Sequence, residues 1–307
     1  MQPSRRRRFL QFLVLSRPHF LAGGFLLFGL GAAMADYLGA SIRLSTYLMG
    51  QAIVTSLQLM THYLNEYYDV EGDVANPHRT WFSGGSGALG GEDGLPTRFA
   101  LQAGFVAMII GALLAGFMIA TGMMSLAPIF ILLLGSTGSL LYSVPPVRLV
   151  SSGYGEFTTA VVVAGLVPAF AFSLQTGDVD IRLVLTTFPL VAVTFAMLLV
   201  FELPDYGTDV AVGKQTLMVR IGWRRAMWMH DIALGLAFLE FGLAYVMGVP
   251  WRVVVGSLIA LPLAAVQVYT LWRIRRGYPP KWRILTASAI GVLGLLAYLE
   301  LAGFLLS

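Results

Sequence analysis

The chain contains no cysteine, which excludes disulfides, thiolate metal sites and a cysteine nucleophile. Its four histidines, His19, His62, His78 and His230, are scattered and stand at no metal-ligand spacing from one another. Charge is scarce as well. Charged residues make up 12% of the 307 positions, about half of the ~25% usual in globular proteins. Apolar residues fill the gap at 57%, more than a soluble protein of this length can keep out of water. The net charge of +4 invites a nucleic-acid partner, but the placement of the charges argues for a bilayer instead.

Nine apolar runs, each roughly 19–23 residues long, match the ~20 residues needed to cross a membrane core. They lie at 19–38, 44–66, 98–121, 125–143, 157–174, 181–202, 229–247, 252–273 and 284–305. None shows the apolar–polar alternation of a barrel strand, so each is expected to be helical. The runs leave no room for a separate soluble domain. The sequence therefore predicts an all-α fold, a polytopic bundle of nine transmembrane helices forming one domain over 1–307.

Orientation follows from the basic residues. Seventeen of the 20 Lys and Arg residues fall on one side of this topology, beginning with Arg5, Arg6, Arg7 and Arg8; only Arg43, Arg182 and Arg252 fall on the other. The N-terminus is thus expected in the cytoplasm, in a multi-pass protein of the inner cell membrane. All six tryptophans sit in loops or at span edges, as an interfacial belt requires. The opening Ser4–Leu10, SRRRRFL, superficially resembles a twin-arginine export signal. The apolar run after it is short, Arg17-Pro18 cuts it, and no small-residue cleavage site follows, so it reads as a positive-inside anchor.

Because acids are rare, their clustering is informative. Asn65, Glu66, Asp69, Glu71 and Asp73 gather where the second span leaves the membrane, and Glu202, Asp205 and Asp209 where the sixth does. Both places are cytoplasmic helix C-termini, where the macrodipole disfavours carboxylates unless a cation is present. If the second helix persists, Gln58, His62, Asn65, Asp69 and Asp73 fall within an arc of roughly 80°. Pro204 breaks the sixth helix, and Asp205 and Asp209 repeat the four-residue step beyond it. Oxygen donors without cysteine or paired histidine favour Mg²⁺, which commonly combines one or two carboxylates with substrate phosphates. Arg79, Arg148, Lys214 and Arg220 supply cations on the same side. Either cluster alone reads as a solvated loop; together they describe a diphosphate site, and the apolar body makes a lipid diphosphate the expected substrate.

Here the motifs resemble those of a known family. N-E-Y-Y-D-V-E-G-D, Asn65–Asp73, is similar to the first aspartate-rich motif of the UbiA superfamily of intramembrane prenyltransferases. D-Y-G-T-D-V-A-V-G-K-Q-T-L, Asp205–Leu217, is similar to the second, with Lys214 in the matching place. Arg17-Pro18, Tyr142 with Pro145-Pro146, and G-Y-G-E at Gly153–Glu156 resemble further landmarks. Glu66 stands where aspartate is common, and Glu202 where many relatives carry Asn or Asp; both keep an oxygen ligand. The resemblance implies transfer of a prenyl chain from its diphosphate to a small aromatic acceptor. It implies two Mg²⁺ ions bridging the diphosphate to Asn65, Asp69, Asp73, Glu202, Asp205 and Asp209. Lys214 joins the catalytic set, and Arg79, Tyr142, Arg148, Gln58, His62 and Glu66 are expected to bind substrate. No obligate protein partner and no nucleic acid is implied.

Several readings stay open. Tyr142 either binds diphosphate or is an interfacial tyrosine before a Pro-Pro turn; His62 and Gln58 either touch the acceptor or bond between helices. The six glycines between residues 84 and 94 form either phosphate nests or a lid, or a plain connector. Glu156 either caps the fifth helix or serves the site, and Glu240 and Glu300, inside spans seven and nine, have no assigned role. The loops around Arg79–Leu89 and Gly213–Gly222 look most like 1,4-dihydroxy-2-naphthoate prenyltransferases of menaquinone synthesis, with 4-hydroxybenzoate as the alternative acceptor. From another class, a secondary transporter is the rival, although its charges would be expected near the bilayer midplane.

Overall fold

The computed structural model describes residues 5–90 and 94–307. Ser4 of the SRRRRFL run, and Gly91, Glu92 and Asp93 of the glycine-rich stretch, lie outside the described residues. The chain forms α1 (Arg5–Leu15), α2 (Pro18–Tyr37), α3 (Leu44–Ala75), α4 (Thr97–Ala120) and α5 (Leu126–Ser143). Next come α6 (Gly155–Ala160), a π-helical turn (Val161–Leu166) and α7 (Val167–Thr176), which together make one rod. Then follow α8 (Ile181–Glu202), α9 (Tyr206–Ala211), α10 (Leu217–Ile221), α11 (Trp223–Val246), α12 (Trp251–Leu258), α13 (Leu261–Arg275) and α14 (Trp282–Leu305). Only an isolated bridge between Leu89 and Leu95 stands outside this all-helical pattern among the described residues.

Eight helical rods among the described residues are long and apolar enough to cross a membrane. They correspond to every expected span except that at 44–66. That stretch lies inside α3, which is 32 residues long and at ~1.5 Å per residue reaches ~48 Å. Gln51, Gln58, His62 and Asn65 lower its hydropathy, and α3 is not among the eight. Instead of stopping at residue 66, the helix runs on through the whole first motif. It ends where Asn76 turns extended, at ψ 112°, because a following proline disfavours the helical conformation. The rod expected at 252–273 is interrupted between α12 and α13, where Pro262 can begin a helix but not continue one.

Burial separates the rods by role. The spanning window of α8 is 61% buried and that of α5 only 17%, so α8 is the central post and α5 an outer wall against lipid. One apolar cluster joins α2, α8, α11 and α14 around Leu30, Leu190, Leu199 and Phe241. A second joins α2, α3, α5 and α7 around Phe28, Ile53, Ile131 and Phe170. Close approach between helices relies on small residues: a side chain at Gly31 of α2 would strike the Pro168 carbonyl at the start of α7. The large exposed apolar residues, such as Leu113 on α4 and Leu126 on α5, suit contact with lipid rather than water.

Candidate active site

Continuity of α3 puts Asn65, Asp69 and Asp73 on one face, and the break after α8 turns Asp205 and Asp209 toward it. Asp209 N–H donates to the Asp205 carbonyl at 2.9 Å, so the short helix α9 preserves the four-residue step. Asp69, Asp73, Asp205 and Asp209 all line one cavity of about 240 Å³, together with Glu71, Asn76, Arg148 and Lys214. Residues as far apart as Asp69 and Lys214, 145 positions, thus share one volume. Asn76, just past the first motif, adds a tie to the second: its Nδ2 donates to Asp205 Oδ1 at 2.6 Å.

Asp69 is the hub. Its Oδ1 accepts from Arg148 Nη2 at 3.0 Å, and its Oδ2 from Lys214 Nζ at 2.9 Å and Asn65 Nδ2 at 3.1 Å. Burial works against the Lys214 ammonium, but Asp69 and Asp209 outweigh it and hold its pKa above the ordinary lysine value. For Asp73, Asp205 and Asp209 burial outweighs the pull of the nearby cations. Burial, and then the neighbouring Asp209, pushes Asp205 up to about 7. Burial, followed by the charge of Glu66, raises Asp73 to about 7. Burial lifts Asp209 to about 6 against the pull of Lys214. Five carboxylates face two cations in this cavity, an imbalance that bound cations would relieve.

The donor set fits Mg²⁺. It consists of carboxylate and amide oxygens without sulfur or imidazole, and three of its members are driven toward protonation by burial and then by neighbouring carboxylates. No group of three His, Asp or Glu side chains among the described residues could hold an ion alone. Mg²⁺ seldom uses such a cage; it keeps waters and takes phosphate oxygens alongside one or two carboxylates.

A second cavity, of about 230 Å³, adjoins the first. Arg17, Asn65 and Tyr142 stand among its lining, and apolar groups such as Phe20, Val54, Ile131, Phe170 and Met197 make up most of its wall. Asn65 belongs to this wall while bonding Asp69 in the lining of the first cavity, so one hydrogen bond links the two walls. Gln58 and His62 line it too. His62 Nδ1 lies 3.3 Å from the Ser16 carbonyl, and the Gln58 Oε1 is buried without a partner. The π-helical turn supplies Val162, Val163 and Leu166 to the same wall, and such turns often sit at functional sites.

Three expected site residues fall elsewhere. Arg79 lines two neighbouring recesses rather than the aspartate cavity, and its guanidinium lies over Gly87. Glu66 is buried and already engaged: it pairs with Arg17 and accepts from Ser86 N at 2.7 Å and Ser86 Oγ at 2.8 Å. Glu202, at the end of α8, stands beside Glu156 and does not line the aspartate cavity. The glycine-rich loop is pinned over the acids. Gly84 N–H bonds Asp205, and Gly85, at φ 73°, comes so close to Asp73 that a Cβ would collide with its carboxylate.

From the sequence neither Asn76 nor Arg17 receives a site role, although Arg17-Pro18 stands among the landmarks. One signal was available for Arg17: like Arg148, it precedes a helical turn and lies in a segment with proline beside it. Both adopt left-handed backbone, at φ 47° and 41°, a conformation that costs about 1–2 kcal/mol for a side-chain-bearing residue. Each places its guanidinium on an acid of α3.

Comparison with known proteins supplies a family and a fold. The profile of the UbiA prenyltransferase family matches residues 23–290. The 1,4-dihydroxy-2-naphthoate octaprenyltransferase of Bacillus subtilis (strain 168) is 24% identical over 255 residues, covering 82% of this chain and 80% of that one. The enzyme of the same name from Haemophilus influenzae is 25% identical over 216 residues, 68% of each chain. A UbiA homologue from Archaeoglobus fulgidus, solved with DMAPP and Mg²⁺, matches with a TM-score of 0.62 over 96% of this chain and 99% of that chain, at 15% identity.

Proposed function

The chain belongs to the UbiA prenyltransferase family and is a prenyltransferase, and from that premise we propose that it transfers a prenyl chain from an allylic diphosphate to 1,4-dihydroxy-2-naphthoate in a Mg²⁺-dependent reaction. The observation that carries this reading is the pair of adjoining cavities, one lined by Asp69, Asp73, Asp205 and Asp209 and the other mostly apolar. The naphthoate acceptor draws its support from the two relatives described above and from the likeness of the loops. A transporter would hold its charges near the midplane, whereas these cluster in the last turns of α3 and just beyond the end of α8. The tally of basic residues supports a cytoplasmic aspartate cavity in an inner-membrane protein.

Asp69, Asp73, Asp205 and Asp209, with Asn65, would hold Mg²⁺, in our reading two ions. Bound Mg²⁺ supplies charge neutralisation on the diphosphate as it departs. Lys214 and Arg148, which now spend their donors on Asp69, are placed to turn to phosphate oxygens with charge-assisted hydrogen bonds. The apolar cavity holds the first isoprene units and the acceptor ring and excludes the water that would quench an allylic cation. Tyr142, Gln58 and His62 present polar atoms where a hydroxylated ring needs orienting. Glu66 and Arg79 act at one remove in this scheme, Glu66 through Arg17 and Arg79 as a flanking charge.

The test is to incubate purified protein with Mg²⁺, a labelled prenyl diphosphate and a panel of acceptors that includes 4-hydroxybenzoate. Prenylated naphthoate is expected, and Asp69→Ala and Asp209→Ala should each abolish it while leaving the protein folded. Turnover retained in either variant would remove that aspartate from the mechanism; product with another acceptor alone would overturn the naphthoate assignment.

A further inference from the structure

Glu156 does not line the aspartate cavity, yet it is one of the most deeply placed carboxyls near it, at 4% exposure. It stands in the first turn of α6. Its Oε1 accepts the backbone N–H of Leu217 at 2.6 Å, while its Oε2 is buried and the carboxyl lies against that of Glu202. A carboxyl withdrawn from water is costly unless it is used. Leu217 opens α10, where the first N–H groups have no intrahelical acceptor. The N-cap, Thr216, satisfies Val219 N–H at 3.3 Å, and Glu156 satisfies Leu217.

That bond has a consequence three residues upstream. Lys214 N–H donates to the Asp209 carbonyl at 2.9 Å, so the non-helical stretch 214–216 is fixed at one end by Asp209 and at the other by Glu156. Between these anchors the Lys214 side chain reaches Asp69 Oδ2. The start of α6 is itself wedged in place. A Cβ on Gly155 would lie 2.8 Å from Val150 Cα, and one on Gly153 2.6 Å from Arg220 Cδ. Glu156 therefore projects from a rigid corner onto the loop that carries the lysine.

We propose that Glu156 is a positioning residue which, through the Leu217 N–H, sets Lys214 over Asp69 and the diphosphate. The proposal rests on the prenyl-transfer reading for its kinetic readout but not for its binding readout. The experiment is a double-mutant cycle of Glu156→Ala and Lys214→Ala, read by kcat/KM for the prenyl diphosphate and by affinity for pyrophosphate with Mg²⁺ in the full-length protein. Glu156→Ala is expected to lower both by about tenfold, and adding it to Lys214→Ala should lower neither further. The KM for the acceptor ring should stay unchanged. Glu156→Gln keeps an acceptor oxygen and should restore both values to within about threefold of the wild type.

Leu217→Pro gives an independent arm if Glu156→Ala does not fold. Proline is well tolerated at the first position of a helix, so this variant removes the N–H donor; Leu217→Ala, which trims the same core-packed side chain but keeps the donor, is its control, and only the proline variant should reproduce the loss. Additive losses in the cycle, wild-type pyrophosphate affinity in Glu156→Ala, or full activity in Leu217→Pro would each overturn the proposal. A wild-type protein that binds Mg²⁺-pyrophosphate but makes no prenylated product would sink the prenyl-transfer reading, and the binding cycle would still decide the role of Glu156. Absence of pyrophosphate binding in the wild type would overturn both.

Discussion

The two adjoining cavities are nearly equal in volume, about 240 and 230 Å³, and opposite in chemistry. One is walled by carboxylates and two cations, on the end of α3 and on the loops after α5 and α8. The other is walled by aliphatic and aromatic groups from the bodies of α2, α3, α5, the π-helical turn and α8. The last turns of α3, the short helix α9 and the loops beside them carry the first, and the bodies of the long rods carry most of the second. Polar groups with free backbone neighbours are tolerated only where water or protein can satisfy them, which is at the membrane edge and not within it. The contrast divides the work: anion and metal at the loops, carbon chemistry in the dry interior.

The strongest way to break this division is to remove an acid from the first cavity. Asp205→Ala deletes an expected Mg²⁺ ligand and strands Asn76, and should lower kcat/KM by about 10³-fold, the upper range for losing one preorganised electrostatic group. Assays at saturating Mg²⁺ with a short and a long prenyl diphosphate check it; the loss should be the same for both chains. A loss confined to one chain length would mean that the polar cavity also reads the tail.

Acidity offers the next test. Asp73 and Asp205 are raised to about 7 from an ordinary 3.8, so the folded protein without metal holds protons that the unfolded chain would release. Their contribution to stability is fully present below about pH 4 and is lost as pH rises through 7. Without Mg²⁺ the thermal midpoint in detergent should therefore fall between pH 6 and pH 8. Added Mg²⁺ should raise it more at pH 8 than at pH 6, because at the lower pH the ion must displace protons, roughly tenfold in affinity per pH unit for each one. An equal Mg²⁺ shift at both values would mean that these carboxylates do not bind the ion.

The smallest effect belongs to the apolar cavity. Gly135 of α5 lines it, and a Cβ there would meet only Leu166 Cδ1, at 4.0 Å. Gly135→Leu should fill space without moving backbone. It should raise the KM for a long prenyl diphosphate by about tenfold, in line with ~1–3 kcal/mol for steric discrimination in an apolar pocket. Dimethylallyl diphosphate and Mg²⁺ affinity should be unaffected. Equal penalties for both chain lengths would show that the tail does not pass Gly135.

Much of this architecture was legible in the sequence because its causes are local. Apolar run length specified the eight apolar rods, and proline marked the end of α3 and the break after α8. The four-residue recurrence of Asn65, Asp69 and Asp73 described a real face because nothing stops α3 short of Asn76. Other features depend on partners remote in the chain. Spacing alone could not reveal that Arg148 and Lys214 converge on a single carboxylate, that Glu66 is consumed by Arg17 and Ser86, or that Glu202 turns to Glu156. The π-helical turn also escaped, as did the division of the 252–273 rod, for which Pro262 was a local signal. Glu300 remains without a role: it is fully buried, and both its carboxylate oxygens lack a partner.

By itself, the order of residues determined the solvent this protein lives in, the identity of its oxygen donors and the helical phase on which they lie. Those follow from transfer free energy along a run and from rotation per residue, which need no knowledge of distant contacts. Only the tertiary structure decided which acids are left facing one another across the cavity and which are neutralised by an arginine or a lysine. Charge pairing acts through space over a few ångströms, and in this bundle those ångströms join residues as far apart in the chain as Asp69 and Lys214.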